Sequence, residues 1–129
     1  LLEIKQKEAC ENYVRKALPI IILDWKYEEW LKRITAETNL ATDHKKVQEQ
    51  FRLYKKYLGR FHSMGEPVGY VGIEKIRGLH LPVGNYIVRV RFRNMSANIH
   101  MKLVNREGGW KIQAWSVRPE VYLPIPEDD

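Results

Sequence analysis

The sequence has a single cysteine, Cys10, so no internal disulfide can form. Its four histidines, His44, His62, His80 and His100, show no metal-pair spacing, which argues against a zinc site. No stretch of eighteen apolar residues reads as a membrane-crossing helix, and no charged leader precedes an apolar run. The chain opens at Leu1 instead of Met, and the expectation is a processed leader upstream or a fragment of a longer protein. The formal charge is +6, yet no run of five basic residues occurs. The charge lies in dispersed pairs such as Arg15-Lys16, Lys45-Lys46 and Lys55-Lys56, the pattern of solvated helix faces, so nucleic acid is not an expected partner. Ser63, Ser96 and Ser116 lie in no nucleophile elbow. Gly65, Gly69 and Gly72 lack the lysine and following helix of a phosphate loop.

What is present is ordinary globular composition, 44% hydrophobic and 29% charged over 129 residues. That predicts a single domain able to bury a core without a disulfide or metal staple. The pattern of apolar residues changes period near residue 60. Before it, Cys10, Tyr13, Val14, Ala17, Leu18, Ile21, Ile22 and Trp25 recur in steps of three and four, the stripe of a buried helix face. Pro19 falls within that stripe and predicts a kink. Asp24 is expected to cap a short second helix carrying Tyr27, Trp30, Leu31 and Ile34. Thr38-Asn39 and Ala41-Thr42-Asp43 read as loop, with Thr42 or Asp43 capping a third helix. That helix carries Val47, Phe51, Tyr54 and Leu58, and Gly59 closes it in the left-handed conformation.

After residue 60 the period is two. Strands are expected near Tyr70 to Gly78, Tyr86 to Arg93, Ala97 to Asn105 and Trp110 to Val117. Turns are expected at Pro82-Val83-Gly84-Asn85, Asn94-Met95-Ser96 and Glu107-Gly108-Gly109. Gly69 and Gly72 suggest bulges or strong coiling. The fold class is therefore α+β, three N-terminal helices packed on a curved four-stranded antiparallel sheet. Residues 1–118 form the domain, and 119–129, with Pro119, Pro124 and Pro126, form a proline-rich acidic tail ending in a frayed Glu127-Asp128-Asp129.

Alternation sorts the strands into faces. Tyr86, Val88, Val90 and Phe92 point one way; Ile87, Arg89, Arg91 and Arg93 point the other. Ala97, Ile99, Met101 and Leu103 oppose Asn98, His100 and Lys102. One face is apolar and should receive the helices. The other is basic, and Arg89, Arg91, Arg93, His100 and Lys102 are the candidate contacts for an acidic protein or membrane headgroups, because cross-strand arginines repel unless an anion lies between them. The four tryptophans are core anchors first. A gap between helices and sheet would be an apolar pocket lined by Trp25, Trp30, Tyr54, Tyr86 and Trp115. Asn94-Met95-Ser96 also fits a glycosylation sequon, relevant only in a eukaryotic secretory setting.

Two stretches carry a family resemblance. Ala17-Leu18-Pro19-Ile20-Ile21, followed by Asp24-Trp25 and Trp30-Leu31, resembles the first helical segment of small bacterial exported proteins of the nuclear transport factor 2-like superfamily. Leu103-Val104-Asn105-Arg106-Glu107-Gly108-Gly109-Trp110-Lys111-Ile112 is similar to their closing hairpin. The resemblance implies a cone of helices on a strongly curved sheet, and an exported, periplasmic or membrane-anchored setting. The superfamily's enzymes usually project an aspartate into the cone, and no predicted strand here contains one. The expectation is a non-catalytic domain, without cofactor or metal, that binds a small apolar ligand or a protein partner. The alternatives are a homodimerising assembly module using the basic sheet face, or an isomerase or dehydratase using Glu74 or His100.

Overall fold

The computed structural model describes residues 2–127. Four helices precede five antiparallel strands: α1 (Leu2–Ile22), α2 (Tyr27–Leu31), α3 (Ala36–Ala41), α4 (His44–Leu58), β1 (Phe61–Met64), β2 (Val68–Ile76), β3 (Leu79–Phe92), β4 (Ser96–Arg106) and β5 (Gly109–Pro119). The α+β class stands; the counts grow by one helix and one strand. The added helix, α3, occupies the stretch expected to be loop. Thr35 nucleates it by accepting the Thr38 backbone N–H at 3.2 Å. The added strand, β1, is four residues long, too short for alternation to reveal.

The helical stripes bury as their spacing demands. Cys10, Val14, Ala17, Leu18, Ile21 and Ile22 of α1 are buried, as are Val47, Phe51, Tyr54 and Leu58 of α4. α1 runs through Pro19 to Ile22 as one helix, and the buried stripe keeps its phase across the proline. Asp43 caps α4, accepting the Lys46 N–H at 3.2 Å, and Gly59 follows it at φ +83°. Asp24 does not cap α2. Lys26 holds that position without a side-chain bond, and Asp24 instead pairs with Lys55 at 3.1 Å. Trp25 stands between α1 and α2 at φ +48°, a left-handed conformation rare for a bulky residue.

β3 is the central strand. β1 and β2 share one of its sides, β4 takes the other, and β5 pairs with β4. The expected turn at Pro82–Asn85 is instead part of β3. The chain reverses earlier, at Arg77-Gly78 (φ +50° and +81°), matching Glu107-Gly108 (φ +54° and +80°) in the β4–β5 hairpin. Both are two-residue turns whose handedness suits twisted strands. Pro82 is tolerated because β4 joins β3 only from Val83, so no partner needs the missing N–H on that side. Gly84 serves packing instead of turning, since a Cβ there would meet Cys10 Sγ at 2.6 Å. A bulge after Lys102 leaves Gln113 unpaired in β5.

Residues beyond β5 turn back onto the body. Glu120 N–H donates to the Ser96 carbonyl, and its carboxylate accepts the Ser96 N–H at 3.0 Å. Gln50 donates to the Pro126 carbonyl at 2.5 Å, and Ile125 is buried in the core. The frayed end expected at Glu127-Asp128-Asp129 falls mainly on Asp128 and Asp129, outside the described residues.

A polar seam ties α1 to the sheet. Tyr86 donates its hydroxyl to Glu11 at 2.8 Å, and Lys7 pairs with the same carboxylate. Burial would raise the Glu11 carboxyl, but the hydrogen bonds from Lys7 and Tyr86 and the charges of Lys7 and Arg15 outweigh it and hold it below the usual value. A depressed carboxylate stabilises the fold above its unfolded pKa and loses that contribution as pH falls through its native value. Glu11→Gln should therefore lower the urea midpoint at neutral pH. Its difference from wild type should shrink as pH drops below the ordinary value of 4.5. A difference that stays constant from pH 7 to acid would show that the charge is not what Tyr86 and Lys7 recognise.

Candidate functional site

Four of the five aromatic side chains expected to line a pocket come together between the helices and the sheet. Trp25 lies 5.0 Å from Tyr54 and 6.2 Å from Trp115, centroid to centroid, and Trp30 lies 6.3 Å from Trp115. Phe51 and Phe92 complete the cluster at 5.4 and 5.7 Å from Trp25. Rings at these separations touch one another, so the space between helix and sheet is filled by the side chains themselves. Tyr86 stands apart, beneath α1 beside Cys10 and Glu11. The indole N–H groups of Trp25 and Trp30 are buried without a partner among the described residues. Burial also pushes the Cys10 thiol up to about 12, so Cys10 is an inert core residue.

A groove of about 610 Å³ does touch Tyr54 and Trp115, but from outside the cluster. The C-terminal segment supplies much of its wall, including Pro119, Tyr122, Leu123 and Ile125.

The basic face is assembled across β3, β4 and β5. Register places Val68, Ile87, His100 and Ser116 in one cross-strand row. Tyr70, Asn85, Lys102 and Ala114 form the next. On the other side, Arg89 stands beside Asn98 and Arg118, and Arg91 beside Ser63 and Ser96. Arg93 falls just past β3, exposed, with its N–H bonded to the Arg60 carbonyl. The anions that adjacent cations require come partly from the chain itself. Glu120 pairs with Arg89 at 3.4 Å and Glu74 with Lys102 at 3.2 Å.

Three apolar side chains interrupt this face. Val68 is 71% exposed, Tyr70 64% and Ile87 41%. With His100 and Lys102 they border a shallow depression of about 500 Å³. Neither Val68 nor Tyr70 was singled out from the sequence as a surface contact. The signal was available in strand alternation, which already put Ile87 among the arginines; the missing step was the β2–β3 register that sets Val68 directly opposite Ile87.

Glu74 and His100, the residues an isomerase or dehydratase would need inside the cone, both belong to this open face, and Glu74 is engaged with Lys102. No group of three or more metal-binding side chains occurs among the described residues. No helix among them is long and apolar enough to cross a membrane. Fold and site together define an α+β domain with a ring-packed core and an open, mixed basic and apolar sheet face. No family model, no curated protein and no solved structure matches the chain.

Proposed function

We propose that the chain is a non-catalytic domain that binds an acidic protein partner through its open sheet face. The observation that carries this reading is the exposed trio Val68, Tyr70 and Ile87 set among Arg89, Arg91, His100 and Lys102. An apolar centre supplies contact area that excludes water, and a charged rim selects a partner of opposite sign. A second basic face would be repelled, so an acidic heterologous partner fits better than face-to-face pairing of two copies. The touching rings of the aromatic cluster favour a protein partner over a small apolar ligand at Trp25 and Trp30. The resemblance to nuclear transport factor 2-like exported proteins adds an exported or membrane-proximal setting to the proposal.

Selection from a displayed random-peptide library should enrich sequences that combine Asp or Glu with an aromatic or aliphatic residue. Val68→Asp should weaken the best of them at least about ten-fold, roughly 1.4 kcal/mol, with thermal unfolding little changed, since that side chain is 71% exposed at the start of an edge strand. Enrichment without acidic residues would overturn the proposal. So would retention on anionic phospholipid vesicles that acidic peptides fail to displace.

A further inference from the structure

β2 is a nine-residue strand bonded to β3 alone; none of its backbone groups bonds to any other element among the described residues. The other edge of the sheet is treated differently. Ile34 bridges Ile112 of β5, and Thr38 donates to the Gln113 carbonyl at 2.5 Å, so the α2–α3 segment covers part of that edge. An uncovered edge is a template for another strand, and proteins that leave one unpaired normally guard it with charge, proline or a bulge. β2 has no proline and no bulge against β3, and its one glutamate and one lysine sum to zero in a chain of charge +6.

The sequence of β2 is complementary to itself. An antiparallel copy centred on Gly72 sets Val68 opposite Ile76, Val71 opposite Ile73, Gly69 opposite Lys75 and Tyr70 opposite Glu74. Apolar residues meet apolar residues, and no like charges face each other. The register is also the correct parity: Val71 and Ile73 lie on the helix side and Val68, Tyr70 and Glu74 on the open side, and directly opposite residues share a face.

Two independent features point to the same axis. Gly72 has no task within the fold: it lacks a positive φ, and a Cβ built on it would meet nothing within 4 Å. Glycine in a strand often marks a place that another backbone approaches, and Gly72 is the residue the two-fold axis would cross, with room for a side chain on its own copy. Beside it, Ile73 is 58% exposed in a groove of about 460 Å³ whose floor of Val71, Gly72 and Pro82 is flanked by Leu2, Glu3 and Gln6 of α1. A second copy would continue the floor of that groove with its own Val71 and Ile73.

We infer that two copies of this chain pair through their β2 edges, antiparallel and centred on Gly72, into one continuous ten-stranded sheet. The axis stands perpendicular to the sheet, so both basic faces lie on the same side. The two proposals share the side chains of Val68 and Tyr70, but the pairing rests on the free backbone edge of β2 and the partner binding on the open face across β2, β3 and β4, so either can fail without the other.

Gly72→Cys tests the register directly. The new side chain has room, and Cys10 is buried and unreactive. Cysteines at 72 would stand opposite each other across the axis within disulfide reach. Cysteines at 70 would be separated by four residues of strand, roughly 13 Å along it, beyond that reach. Light scattering should give wild type twice the 15.3 kDa chain mass. Under mild oxidation, Gly72→Cys should form a cross-linked dimer at least about ten-fold more completely than Tyr70→Cys. Ile73→Lys should shift the mass to the monomer with unfolding little changed, since that side chain is already exposed. A wild-type chain monomeric at concentrations up to about 0.2 mM, weaker than any specific pairing of use, would overturn the inference. Equal cross-linking at 70 and 72 would overturn it as well, by placing the contact elsewhere.

Discussion

Trp25→Ala should cost about 3–5 kcal/mol, enough to remove most of the stability of a domain this size. Trp25 is the hub of the aromatic cluster. It contacts Phe51 and Tyr54 of α4, Phe92 of β3 and Trp115 of β5, so one truncation opens a cavity that touches a helix and two strands. Collapse cannot easily close it, because the neighbouring rings are rigid and already hold one another. The backbone adds to the loss: at φ +48° an alanine keeps the strain of the left-handed conformation and loses the packing that compensated it. Trp25→Phe separates the two contributions. It retains a ring and removes an indole N–H that has no partner, so it should cost well under half as much. Chemical denaturation of both variants measures the difference. Equal losses would mean that the indole N–H, not the ring, carries the stabilisation.

Gly69→Ala should be nearly as damaging, about 3 kcal/mol or more, for a reason of a different kind. A Cβ at Gly69 would lie 1.9 Å from the Asn85 carbonyl oxygen and 2.9 Å from the Tyr86 Cα. These are backbone atoms of the adjacent strand, fixed by the ladder from Val68 to Ile76, so no side chain can swing aside. Relief requires β2 to lift away from β3. That would strip cover from Tyr86 and loosen its bond to Glu11. Gly72→Ala, three residues along the same strand, meets nothing within its own chain, so at concentrations that keep the chain monomeric it should be neutral or slightly stabilising, since glycine is entropically costly in a strand. Thermal unfolding of the pair reads the contrast, and similar losses at both positions would remove the argument from close approach.

The two glycines show where sequence reading reaches its limit. Both are unusual residues in a strand, and both suggest bulges or strong coiling. The structure gives neither a bulge against β3; within the chain one meets a close backbone approach and the other open space. The difference depends on β3, whose Asn85 and Tyr86 crowd Gly69 from far along the chain, and no local pattern contains it. Pro82-Val83-Gly84-Asn85 has stronger turn chemistry than Arg77-Gly78, yet the chain turns at Arg77-Gly78. Gly84 was needed against Cys10, and Pro82 was harmless where β4 had not yet joined. Tertiary packing had assigned both residues other tasks.

The aromatic residues divide the same way. Helical and strand periodicity were sufficient to bring Trp25, Trp30, Tyr54 and Trp115 to the interface of the two layers. Whether rings that meet there enclose a cavity or fill it depends on their separations, which periodicity does not contain. On the opposite face, alternation alone put Arg89, Arg91, His100 and Lys102 on one side. It did not supply Glu120 folding back onto Arg89, or Glu74 reaching Lys102.

The sequence by itself thus determined a helical half followed by an antiparallel half, the buried stripes of α1 and α4, the two faces of β3 and β4 and the sign of the open surface. These follow from periods of 3.6 and 2 and from local charge. Only the tertiary structure decided how the strands register, which charges are already neutralised, and that Val68, Tyr70 and Ile87 form one exposed patch beside an unpaired β2 edge. Those properties arise between residues far apart in the chain, where the free energy of packing, not local propensity, chooses the neighbours.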